Sequence, residues 1–254
     1  MRLKVLFLLL FTITLNAQNN AIAPGEKLTY TASYNMSGIL TDLAEVTMEA
    51  STIKTSKATL LRLKCTAATY SKWDDFFKIR DLYESYVSPK SLTPYLYKRD
   101  INEGSYYKYM KYTFSHKTRS VKSQLKKKNN YEETKTVTIN SGTKDIVSTI
   151  YNLRVFDYSQ MAIGEHKTFK ILFDRKEIKG QITYLGTESL STAIGKKECY
   201  KLAIGSNQTE VLEGKNNNFL WLTADENKIP VYGKFKIPVG NGELKIKSAT
   251  GLKH

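Results

Sequence analysis

Residues 27–32 read Lys-Leu-Thr-Tyr-Thr-Ala, and this short alternation decides the fold. Leu28, Tyr30 and Ala32 fall on one side of an extended chain, with Lys27, Thr29 and Thr31 on the other. A period of two with one polar side marks an antiparallel strand buried on one face. The pattern returns as Glu-Val-Thr-Met-Glu at 45–49 and Leu-Arg-Leu-Lys-Cys at 61–65. Val, Thr, Tyr and Ile, which suit a pleated surface, recur from Lys27 to the C-terminus. Turns are marked at Ser37-Gly38, Glu103-Gly104, Ser141-Gly142, Ile194-Gly195, Glu213-Gly214 and Asn241-Gly242. The last has Ile237 and Val239 before it and Leu244 and Ile246 after it, which predicts a hairpin turning at Asn241-Gly242.

Further strands are expected at 168–173, 177–183 and 199–204. FLWLTADENKIPVYGKF (219–235) is expected to form two more around a polar turn at Ala224 to Lys228. Pro230 has no N–H to donate, so the second of these is expected to start at an edge or a bulge. In Tyr106 to Phe114 (YYKYMKYTF), alternation puts Tyr106, Met110, Tyr112 and Phe114 on one face and Tyr107 and Tyr109 on the other. A strand aromatic on both faces is central in a packed sheet or turns its second face into a groove.

One segment departs from the alternation. DIVSTIYNLRVF (145–156) carries Ile146, Ile150 and Leu153 on one helical stripe with Val147, Tyr151 and Arg154 beside it, and Asp145 is placed to act as the N-cap. The predicted fold is all-β: a single antiparallel barrel-like or strongly curved sheet with one short helix near 145–156 against it. No repeat, low-complexity tract or linker interrupts residues 18–254, so one β-rich domain is expected there.

Residues 1–17 carry Arg2 and Lys4, a run of Leu, Phe and Val, and a small-residue exit at Leu15-Asn16-Ala17. These are the parts of a secretory signal peptide. The run falls short of the ~20 residues that span a bilayer, and no Cys follows it to accept a lipid. The mature chain is expected from near Gln18, in the periplasm or outside the cell, with no transmembrane segment after cleavage.

Export bears on the charge. The net charge is +15, but the lysines are spread through almost every segment, and exported proteins rarely meet nucleic acid. No nucleic-acid partner is expected. A basic surface favours anionic partners such as lipid head groups. The densest run, Lys122 to Lys128, reads as a solvated loop. Export also permits a disulfide between the only two cysteines, Cys65 and Cys199. Both sit in strand-like runs where a free thiol serves equally well as a small core residue, so the pairing stays open.

Signals for chemistry are few. Histidine occurs three times, and G-x-S-x-G, H-E-x-x-H and the phosphate-cradling Gly-rich loop are missing. No cofactor or metal is indicated. Two constellations are candidates for ligand binding. In Trp73-Asp74-Asp75-Phe76-Phe77 with Arg80-Asp81, Trp73 offers a stacking face and Arg80 a charge; the alternative is a loop whose aromatics plug a barrel end. On the helix, Tyr151 lies beside Arg154, whose planar fork suits a carboxylate or phosphate; the alternative is a structural pair with an acid on a neighbouring strand. Tyr107 and Tyr109 complete the candidate set.

The spaced residues Gly25-Glu26-x-Leu28-x-Tyr30, Asp145-x-x-Ser148-x-x-Tyr151-x-x-Arg154 and Trp221-Leu222-x-x-Asp225 with Pro230-Val231 resemble a family of exported bacterial proteins, the domain-of-unknown-function family DUF3108 of Bacteroidetes and proteobacteria. The resemblance spans roughly Pro24 to Lys247. It implies a barrel-like or wrapped sheet with little helix, outside the cytoplasm, and no particular activity. Trp221 to Val231 alone is also similar to periplasmic lipoprotein carriers, whose half-barrels hold acyl chains.

The leading functional expectation is therefore a non-enzymatic envelope protein that binds a lipid or other anionic amphiphile in a β-barrel concavity. The alternatives are a structural or assembly protein of the envelope with a filled core, and an envelope glycan hydrolase. Sequence leaves the oligomeric state open.

Overall fold

Leu28 and Tyr30 are sequestered from solvent while Lys27 is exposed, as their alternation requires. A computed structural model describes residues 18–36, 39–206, 218–237 and 240–254. The signal-peptide reading of 1–17 and the turn signals Ser37-Gly38 and Glu213-Gly214 lie outside these residues. The first half of the chain forms β1 (Lys27–Met36), β2 (Ile39–Lys54), β3 (Thr59–Thr69), β4 (Arg80–Val87), β5 (Pro94–Glu103), β6 (Tyr106–Ser115), β7 (Ser120–Lys127) and β8 (Glu132–Thr138). Helix α1 (Ile146–Asn152) and a 3-10 turn (Leu153–Val155) follow. The second half forms β9 (His166–Phe173), β10 (Lys176–Thr192), β11 (Gly195–Ser206), β12 (Phe219–Thr223), β13 (Pro230–Ile237) and β14 (Gly240–Thr250).

These strands make one antiparallel sheet in the order β8-β7-β6-β5-β4-β3-β2-β1-β14-β13-β12-β11-β10-β9. The chain thus meanders outward to β8, crosses through α1, and returns from β9 to dock β14 on β1. The outer strands β8 and β9 face each other across a seam without joining in a ladder. Arg175, in the β9–β10 turn, pairs with Glu133 of β8 and donates from Nε to Ser123 of β7 at 2.8 Å. Asn140, just past β8, donates from Nδ2 to Glu177 of β10 at 2.6 Å. The sheet is barrel-like and unclosed.

Register sorts the two faces. Leu28, Met48, Cys65, Tyr83, Arg99, Met110 and Leu125 lie side by side across seven strands on the inner face. One residue earlier or later, Lys27, Glu49, Lys64, Glu84, Lys98 and Lys111 form the matching outer row. Its charges alternate over the first five positions, with Lys27 and Lys64 on either side of Glu49 at 3.4 and 3.2 Å. Several lysines of the outer row thereby meet cross-strand acids.

The predicted helix and its cap are present: Asp145 Oδ1 accepts from the backbone N–H of Ser148 at 2.9 Å. β13 starts at Pro230, at a register shift against β12. Two readings are corrected. Lys122 to Lys127 is not a loop but part of β7, because Val121, Ser123 and Leu125 point into the core between the lysines. Asn241-Gly242 is not a turn: Ile237 pairs with Gly240, and Gly242 pairs with Phe235 inside the hairpin. A side chain at Gly242 would meet the Phe235 ring at 2.2 Å, so this glycine makes room for an aromatic crossing its strand. Both cysteines are free thiols. Burial pushes Cys65 up to about 12 and Cys199 up to about 11.

Behind β14, Gly251 adopts a left-handed φ of 64°, and a Cβ on it would lie 2.1 Å from the Gly25 carbonyl oxygen. Since that oxygen belongs to backbone, Gly251→Ala should destabilise the protein by about 2 kcal/mol or more, combining the left-handed cost with overpacking. Urea denaturation checks this, and an unchanged midpoint would show that the approach is not maintained.

Candidate functional site

The inner face of the sheet is occupied by the chain's own crossover. Val147 and Tyr151 of α1 belong to one core cluster with Leu63, Val87, Tyr97, Met110 and Tyr112. Asp145 is fully buried and accepts from the Ser85 hydroxyl of β4 at 2.6 Å. Burial raises its pKa, while the bonds from Ser85 and Ser148 pull the other way. One turn beyond the helix, Arg154 is 0% exposed. Its Nη1 and Nη2 donate to the two carboxylate oxygens of Glu26 at 2.6 and 2.7 Å. Nη2 also reaches the Ala21 carbonyl at 3.2 Å, and Nε reaches the Asn227 carbonyl at 3.0 Å. Past it, Leu153, Tyr158 and Met161 form a second cluster with Ile182, Leu202 and Leu222 of β10–β12.

Nearer the opposite end of the strands, the inner face turns polar. Asp81 is buried and accepts from the backbone N–H of Asn102 at 3.0 Å. It also shares a hydrogen bond with the Glu103 carboxyl. Burial raises the pKa of both acids, and the Asp81 charge raises Glu103 further. Each carboxylate disfavours ionisation of the other. Arg99 on the adjacent row pairs with Asp174 of the β9–β10 turn, and its guanidinium lies 4.7 Å from the Phe173 ring centroid. The hydroxyls of Tyr97 and Tyr151 and Nε of Arg99 are buried without a protein hydrogen-bond partner.

The candidate residues do not converge. Tyr151 and Arg154 lie in the core, where Arg154 is the structural pair weighed as its alternative. Trp73 and Arg80 share the β3–β4 connection, where Arg80 pairs with Asp74 at 2.5 Å and Trp73 Nε1 donates to the Asp42 carbonyl at 2.8 Å. Phe76 and Phe77 beside them are 82% and 52% exposed, so they plug nothing. Tyr107 and Tyr109 stand on the outer side of β6, Tyr109 beside Lys111 and Glu133 along a surface groove of about 230 Å³. Sequence reading placed Asp81 beside Arg80 but missed its partner Glu103, and missed Tyr83, Tyr97 and Arg99. Their signal was there: polar residues at the inner positions of β4 and β5, where period two calls for apolar ones.

Two outcomes are expected. Arg154→Met leaves Glu26 buried and unpaired and should cost about 3–5 kcal/mol, whereas combining it with Glu26→Leu should cost clearly less than the sum of the two single changes; additive losses in urea denaturation would contradict the coupling. Because both folded pKa values are raised, the contribution of the Asp81–Glu103 pair is full below about pH 4 and is lost as pH rises through them. Glu103→Gln keeps a hydrogen-bonding group without the second acid, so the wild type should lose stability relative to this variant as pH rises above the ordinary carboxylate range. Parallel pH profiles would refute it.

The solved structures similar to this one are remote in sequence. A β-barrel-like protein of domain-of-unknown-function family DUF1849 from Brucella abortus aligns with a TM-score of 0.58 at 8% identity, covering 88% of this chain and 96% of that one. This likeness is one of fold. A Bacteroides fragilis protein of YmcC-like fold, for which export is proposed, aligns at 8% identity over 90% of this chain and 96% of that one, with a TM-score of 0.37. No curated protein matches the sequence. No helix among the described residues is long and apolar enough to cross a membrane. The model of the protein family of unknown function DUF3108 matches residues 29–247, and the chain belongs to that family.

Proposed function

We propose that this chain is a structural or assembly protein of the cell envelope whose barrel-like interior is filled by its own helix. The observation that carries this reading is the crossover α1 seated on the inner face. There Tyr151 is fully buried, and Arg154 and Glu26 satisfy one another within the core. An acyl chain entering that space would have to displace α1 and break a bidentate ion pair. The envelope location rests on the signal-peptide features of residues 1–17.

A second reading, a ligand held inside the sheet, is favoured by the unpartnered Tyr97 and Tyr151 hydroxyls and Arg99 Nε. Those groups suit a small polar guest better than the apolar tail of an amphiphile.

Native mass spectrometry of protein purified from cell envelopes, beside a denatured sample, separates the two. The filled-core reading expects the bare polypeptide mass in both. It also expects Tyr151→Phe to be neutral or stabilising by about 1 kcal/mol, since an unsatisfied hydroxyl is removed. A co-purifying mass that disappears on denaturation, or in Tyr151→Phe, would replace this reading with the carrier.

A further inference from the structure

In a meander every second connection falls at the same end of the sheet. The end of β1, the start of β2 and the β3–β4, β5–β6 and β7–β8 connections therefore share one rim. Eight large apolar side chains are exposed among the described residues, and six of them stand on this rim: Ile39, Leu40, Phe76, Phe77, Tyr106 and Tyr131. Scattered exposed apolar residues need no explanation, but a cluster of them does.

The rim is knit together. Trp73 bonds the backbone of β2 through Asp42 and meets Phe76 edge-on at 6.0 Å between ring centroids. Phe77 lies against Gly104 of the β5–β6 turn, whose N–H donates to the Lys78 carbonyl at 2.7 Å. Lys127 at the end of β7 stands 5.7 Å from the Tyr131 ring centroid, and Lys72 stands 5.5 Å from that of Trp73.

Charge gives the rim a direction. Asp74 is matched by Arg80 and Glu132 by Lys126. Lys72, Lys78, Lys127 and Lys128 are exposed around the aromatics, against the exposed acids Asp42 and Asp75, with Glu132 held by Lys126. Apolar Ile, Leu and Phe side chains beside Tyr and Trp rings that carry a polar tip, with lysines around them, match the two layers of an anionic bilayer surface. We infer that this rim docks the protein on anionic lipid, with Phe76 and Phe77 entering the head-group region and the lysines facing lipid phosphates. The inference stands apart from the filled-core reading: the lipid is met at the end of the sheet, not inside it.

The test uses residues 18–254 with vesicles of phosphatidylcholine alone or mixed with phosphatidylglycerol, read by co-flotation and by tryptophan emission. Trp221 is buried and bonded to Glu188, so a change in emission reports Trp73. Binding to the phosphatidylglycerol vesicles is expected at low salt, with a blue shift, and at least tenfold weaker binding to phosphatidylcholine alone. Phe76→Ser with Phe77→Ser changes only exposed side chains and should weaken binding at least tenfold without altering the melting temperature. Lys127→Gln with Lys128→Gln should weaken it and flatten its salt dependence. Absence of wild-type binding, or undiminished binding by the double serine variant, overturns the inference. A dimer in light scattering that bound no vesicles would also overturn it and assign the rim to a second copy of the chain.

Discussion

The contact between Arg154 and Glu26 organises the rest. Both side chains are entirely withdrawn from water, a costly state for either ion alone. The guanidinium offsets that cost only because each of its three nitrogens has a partner, four hydrogen bonds in all: two carboxylate oxygens and the carbonyls of Ala21 and Asn227. Those partners come from two places, the segment before β1 and the β12–β13 turn, and Arg154 brings the end of the helical crossover to both. Asn227 in turn exchanges hydrogen bonds with the backbone of His254 at 2.6 and 3.0 Å. One cation thus holds the crossover against both ends of the described chain. A lysine in its place would offer neither the planar fork nor enough donors in fixed directions.

That anchoring explains the polar character of the inner face. A helix held by its last turn leaves its first turn to be satisfied elsewhere, and Asp145 meets Ser85 and Ser148 for that purpose. Nearer the rim, where α1 no longer covers the strands, the inner row passes from leucine and methionine to Tyr83, Arg99 and Asp81. The β9–β10 turn covers this region by bringing Asp174 to Arg99 and to Lys108, the latter at 2.8 Å. The interior is therefore closed by two plugs, one helical and one a turn, each fixed by arginine.

The strands were readable because alternation is local: Leu28 and Tyr30, or Leu61 and Leu63, carry their facing with them. The helix and its Asp145 cap were readable for the same reason. Three things were not. The Lys122 to Lys127 segment hid a strand because lysine dominated its composition while the inner positions kept the period. The Gly242 signal misled because a glycine under an aromatic ring looks in sequence like a glycine in a turn. The acid cluster escaped because Asp81 and Glu103 are 22 positions apart in sequence and meet only through the pairing of β4 with β5. Likewise, nothing near Arg154 in the chain announces Glu26 as its partner.

The unclosed seam has one more implication. An open sheet ends in two rows of backbone groups that invite another strand. On β9 that invitation is withdrawn, because Lys144 accepts from the N–H of Leu172 and donates to the Lys170 carbonyl, at 2.8 and 3.0 Å. On β8 it is left standing, but the strand is seven residues long and reads Glu-Glu-Thr-Lys-Thr-Val-Thr. A short edge of mixed charge is a poor template for stacking copies of the chain. The molecule can therefore leave its wall unsealed without seeding fibrils.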